Sequence, residues 1–134
     1  MLFRSVSAPS FQCLYLSPHA GGDLLNAYEI LRLDLRGIDL VTLSACETAL
    51  GRFDLGDNLR GIPASLLIAG VSTIVGTLWP VETNTAQTFF TSLYSHLQGS
   101  VTKGEAFHAA QEDTRSQYHQ YRDWGAFYLI GAIV

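Results

Sequence analysis

Cys46 is the residue whose setting most suggests chemistry. The apolar run Ile38–Leu43 leads to it, and an acid and a threonine follow, Glu47 and Thr48. A thiol becomes a useful nucleophile only as the thiolate, which needs a nearby base or a positive field. A free cysteine in an apolar strand is also a small hydrophobe that packs well. Cys13, between Gln12 and Leu14, has nothing beyond that packing reading. Cys46 differs because a glycine-bearing loop follows it, with Gly51, Gly56 and Asp57. Loops held by a rigid sheet are where chemistry concentrates.

A thiol that acts needs partners, and the sequence offers several. Arg52 lies six residues on, a spacing that resembles the anion-cradling loop of cysteine phosphatases. Glu47 would place a like charge in such a cradle, which opposes phosphate binding. For a base, the histidines are His19, His96, His108 and His119. His19, in a glycine-rich loop, is the weak substitute base. His96 falls near the end of a helical pattern, and His108 and His119 fall on or after a late helix facing solvent or an interface. Glu47, Thr48, Asp57 and Glu82 sit in loops where they could line a pocket for a basic side chain. They could equally serve as helix caps and solvated charges. Trp79 and Trp124 read as packing anchors.

The elements that must position these residues follow from periodicity. Dense apolar runs at Cys13–Leu16, Ile38–Leu43, Val71–Leu78 and Ala126–Val134 predict strands covered on both faces. Helical spacing predicts helices over Leu24–Leu35, over Asp57–Ala69 with a kink or late start at Pro63, and from Ala86 to Leu97. Thr83 or Asn84 is the expected cap of the last of these, and Gly99 its stop. A further helix is predicted from Lys103 to Tyr118, burying Ala106, Phe107, Ala110 and Thr114. Strands alternating with helices predict an α/β fold, a mostly parallel sheet with helices on both faces. Sites in such folds form at the carboxyl ends of strands, where Cys46 falls.

Composition sets the frame. The 134 residues are 48% apolar and 15% charged, with a net charge of −4 and two cysteines. High apolar content with little charge suggests surface to be covered by more protein. No basic cluster points to nucleic acid. No run is long enough to span a membrane, no N-terminal segment has signal-peptide form, and the expected location is cytoplasmic. Two cysteines do not make a disulfide scaffold, and no Cys/His spacing suits a metal such as zinc.

The segment L-V-T-L-S-A-C-E-T-A-L-G, ending at Gly51, resembles the signature of the CHAT domain, a caspase-like domain of the cysteine peptidase superfamily. Further segments resemble the family in order: L-L-N-A-Y-E-I-L-R-L-D-L before it, G-D-N-L-R-G-I-P-A-S-L-L-I-A-G-V-S-T-I-V-G-T-L-W-P-V after it, then A-F-H-A-A-Q and W-G-A-F-Y-L-I-G. The resemblance implies a caspase-like three-layer sandwich and peptide-bond hydrolysis by a Cys/His dyad, with Cys46 as nucleophile and no cofactor. It implies a protein or peptide substrate, and a helical-repeat region or another chain covering apolar surface. Caspases carry their histidine about 50 residues before the cysteine, whereas His19 lies 27 residues before Cys46. The expectation is therefore a single partial CHAT domain over 1–134, with the N-terminal strands missing and the partner histidine upstream of Met1. Such a chain would be inactive as a peptidase. A non-catalytic protein-interaction scaffold is the alternative, and a cysteine phosphatase using Cys46 and Arg52 a third reading.

Overall fold

The computed structural model describes residues 13–15, 24–44 and 61–134. Strands β1 (Cys13–Tyr15) and β2 (Leu24–Asn26) pair antiparallel. Then come α1 (Ala27–Ile30), β3 (Leu40–Thr42), α2 (Ile62–Ala69), β4 (Thr73–Thr77), α3 (Thr83–Leu97), α4 (Lys103–Gln117), α5 (Tyr121–Trp124) and β5 (Phe127–Gly131). Strands β3, β4 and β5 form one sheet in that order. β4 is parallel to β3 and antiparallel to β5. The α/β class holds, and among the described residues the sheet is mixed.

β4 organises the molecule, and all five of its residues are buried. Successive side chains on a strand point to opposite faces. Ile74 accordingly joins a cluster with Ile30, Leu43, Ile62, Leu66 and Val71. Val75 joins Phe89, Phe90, Leu93, Ala106, Ala110 and Phe127. Helices α1 and α2 therefore cover one face and α3 and α4 the other, a three-layer arrangement. The buried Thr73 hydroxyl donates to the Ala132 carbonyl at 2.6 Å, which satisfies a polar group inside an apolar strand.

The helices follow their sequence signals with two departures, in the first and third of them. In place of a helix over Leu24–Leu35 there are β2 and one helical turn. The Glu29 carboxylate accepts from the Asn26 backbone N–H at 2.8 Å and from Asn26 Nδ2 at 3.0 Å, which starts the helix at Ala27. The Leu35 N–H donates to the Ala69 carbonyl at 2.9 Å, so it cannot serve a continuing helix. α2 begins at Ile62 with Pro63 in its first turn, the late start that proline favours. α3 begins earlier than a cap at Thr83 or Asn84 would place it, with Glu82 at the capping position and no side-chain cap hydrogen bond. Burial of Thr85, Phe89 and Leu93, four residues apart, sets its phase instead.

Helix α4 carries a capping box that the sequence reading missed. Thr102 Oγ1 accepts from the Glu105 N–H at 3.2 Å, and the Glu105 carboxylate accepts from the Thr102 N–H at 2.8 Å. Small residues Ala106, Ala110 and Thr114 form its buried stripe, as expected, with Phe107 half-buried beside them. Next to the cap, the nearly buried Lys103 ammonium donates to Asp39 at 2.6 Å and ties α4 to the loop before β3.

Asp113 clips α4 to α3. It accepts from Ser92 Oγ at 2.5 Å and lies 3.0 Å from His96 Nε2. The Ser92 hydrogen bond, then the His96 one, hold its carboxyl below the usual carboxylate range. A folded-state value below the unfolded one contributes stability above about pH 4 that is lost as pH falls through the folded value. The effect is small because the pair is half exposed. Thermal unfolding followed from pH 6 to pH 2.5 is expected to show a shallower acid decline for Asp113→Asn than for the parent chain.

Candidate functional site

The carboxyl ends of β3 and β4 open onto a cavity of about 390 Å³. Chain order and pairing explain why it forms there. Pairing continues past β3, with the Leu43 N–H donating to the Val75 carbonyl at 2.8 Å, and Ser44 then emerges at the mouth. β4 ends on Thr77, and the chain turns through Trp79 and Pro80 into α3. Its first two turns supply Thr83, Ala86, Gln87 and Phe90 to the wall. Val81 completes a lining that carries no charge among the described residues.

Two features fix the rim. Trp79 Nε1 donates to the Arg122 carbonyl at 2.7 Å, anchoring the β4–α3 loop to α5. Phe90 is held edge-on by Phe127 at 5.9 Å and by Phe89 at 5.3 Å, so the apolar wall is backed by the aromatic core. The amino terminus of α3 faces the cavity, since Thr83 and Gln87 both line it. The positive end of a helix dipole favours negative charge there.

Beside this cavity lies a second one, also about 390 Å³, bounded by Pro80, Glu82, Gln120, Arg122 and Asp123. Val81 and Thr83 line both. Of the residues singled out from the sequence, Glu82 falls here, exposed, and not in the apolar cavity. His19, Cys46, Glu47, Thr48, Arg52 and Asp57 lie outside the described residues.

His96 is engaged by Asp113, while His108 and His119 are exposed, as expected of them. Thirteen residues of helix separate His96 from Thr83, about 20 Å at the helical rise. Cys13 is buried, in keeping with its packing reading. Trp79 and Trp124 pack as anchors, Trp79 on Tyr121 and Trp124 against Tyr121 and Arg115. Ser44, Thr77, Gln87 and Phe90 escaped the sequence reading as site residues. Val81 follows Trp79-Pro80 at the carboxyl end of a strand, where the sequence pattern expects a site.

No helix among the described residues is long and apolar enough to cross a membrane. No group of metal-binding side chains occurs among them.

This three-layer arrangement is a caspase-like fold. It is similar to separase in the crystal structure of the Saccharomyces cerevisiae separase–securin complex, with a TM-score of 0.63 and 18% identity over 78% of this chain and 7% of that one. The sequence model of the CHAT domain matches residues 4–132, and the chain belongs to the CHAT domain family. It is also 28% identical over 115 residues to human tetratricopeptide repeat protein 28, covering 83% of this chain and 4% of that protein. The chain thus spans a small fraction of the length of either relative.

Proposed function

We propose that the chain is a cysteine-peptidase-type module in which Cys46 is the nucleophile and the apolar cavity receives a substrate side chain. One observation carries this reading: the chain leaves β3 through Ser44 at the cavity mouth, and Cys46 follows two residues later. Two residues span at most about 7 Å, and this short tether is what supports assigning Cys46 to the opening. The helix terminus facing the cavity favours a thiolate and, after attack, an oxyanion. Membership of the CHAT family and the caspase-like fold support the same chemistry. The substrate is a protein or peptide, and a repeat-containing partner covering the apolar surface fits the likeness to a repeat protein.

The base is not among the described histidines, and His19 lies outside the described residues. None of the three described histidines lines the cavity. Amide hydrolysis needs a proton delivered to the leaving amine, whereas an activated ester releases its phenolate without one. The isolated chain is therefore expected to form an acyl-enzyme from a peptidyl p-nitrophenyl ester but to turn over peptide amides little or not at all. Intact-mass analysis is expected to show one acyl group, lost in Cys46→Ala and kept in Cys13→Ala. An adduct on Cys13, or none at any pH up to 9, would overturn the assignment.

A further inference from the structure

We propose that the polar cavity beside the candidate active site is a second substrate subsite, one that takes a basic side chain close to the residue held in the apolar cavity. The inference rests on the peptidase reading and adds what the substrate must carry.

The first argument is continuity. Val81 and Thr83 belong to both walls, so the two cavities adjoin across the β4–α3 loop, and the proposal takes them together as one trough. An extended peptide repeats on one face every second residue, about 7 Å. Neighbouring side chains of one ligand can therefore reach both halves.

The second argument is chemistry. One half presents Val81, Ala86 and Phe90 with uncharged polar groups at its edge. The other presents the carboxylates of Glu82 and Asp123, the guanidinium of Arg122 and the amide of Gln120. Glu82 holds the capping position of α3, yet its side chain makes no cap hydrogen bond. It lines the recess and is exposed, so a ligand can reach its carboxylate. Two carboxylates against one guanidinium leave a net negative recess, which attracts an ammonium or guanidinium and repels a carboxylate.

The third argument is rigidity. The recess is walled by two segments that are tied together. Trp79 Nε1 reaches the Arg122 carbonyl, and Trp79 packs on Tyr121 at 6.0 Å between ring centroids. A subsite held in this way needs little rearrangement on binding.

The test is a binding titration on the full chain, followed by backbone amide shifts. The probe is acetyl-Arg-Ala-Leu-Ala-Arg-amide, with versions carrying glutamine or glutamate in place of arginine. The basic peptide is expected to bind about threefold to fivefold more tightly than the glutamine one, the size of one exposed charge pair. The glutamate peptide is expected to bind more weakly still. Glu82→Gln and Asp123→Asn should each shrink the arginine-to-glutamate ratio, and Arg122→Gln should widen it. Shifts should fall on Val81, Thr83 and Arg122. Equal affinity for all three peptides, or a preference that none of the three variants alters, overturns the subsite. Failure of the peptidase reading looks different: peptide binds at the trough but no acyl group ever appears on Cys46.

Discussion

Phe89→Ala is expected to destabilise the chain by about 3–5 kcal/mol, the usual range for deleting a fully buried ring. Phe89 has no exposed surface. Its ring stacks on Phe127 at 3.7 Å and meets Phe90 and Phe107 edge-on at 5.3 and 5.5 Å. Its loss removes the shared neighbour of α3, α4 and β5 together. Natural domains have only about 5–15 kcal/mol in total, so the variant should be partly unfolded at room temperature. Urea titration gives the measure: a lower midpoint at unchanged slope, with Phe89→Leu in between. A cost for alanine below about 1 kcal/mol would mean that the cluster is not packed as described. The effect reaches the site as well, because Phe90 borders the cavity and leans on the same ring.

Gly131→Ala is the second large effect, expected at about 2–3 kcal/mol from backbone strain and displacement combined. Gly131 adopts φ +114°, a region that favours glycine. A Cβ there would lie 2.1 Å from the Ser72 carbonyl oxygen and 3.0 Å from Thr73 Cα. That oxygen accepts the Ala132 N–H at 2.9 Å, so the intrusion also opens the far end of the β4–β5 ladder. Gly37→Ala is the control. It has φ +103° but open space around its Cβ position, and should show only the conformational cost of about 1–2 kcal/mol. Similar melting temperatures for the two variants would count against the steric account.

Local pattern carried much of this architecture. The stripes of α3 and α4 repeat apolar or small residues every three or four positions, and their burial follows that period. The dense run at Val71–Leu78 reads as a strand covered on both faces, and Thr73–Thr77 within it is one. What the pattern could not carry is direction. Phe127–Gly131 has the same apolar density whether its strand runs parallel or antiparallel, and only its partnership with β4 decides. The helix expected over Leu24–Leu35 failed for a similar reason, since the donor at Leu35 is claimed by Ala69, 34 residues away. The trough is hardest to read locally. Ser44, Thr77, Val81 and Gln87 come from two strand ends, a loop and a helix, and none is unusual in its own stretch of sequence. Glu82 was visible as a candidate because it is charged beside a strand end, but its partners Arg122 and Asp123 lie some 40 residues on.

The central position of β4 sets a hierarchy of motion. Among the described strands it alone is paired on both edges, and each of its faces is sealed by a different apolar cluster. Its backbone amides can meet solvent only when both layers come apart together. Hydrogen exchange at Ile74, Val75 and Gly76 should therefore report the global unfolding free energy. The rim of the trough is held by fewer contacts, Trp79 Nε1 on the Arg122 carbonyl and Trp79 on Tyr121 among them, and so ranks below that floor in local stability. A peptide entering there would work against a floor that does not yield, so what little adjustment binding needs falls to the β4–α3 loop and α5.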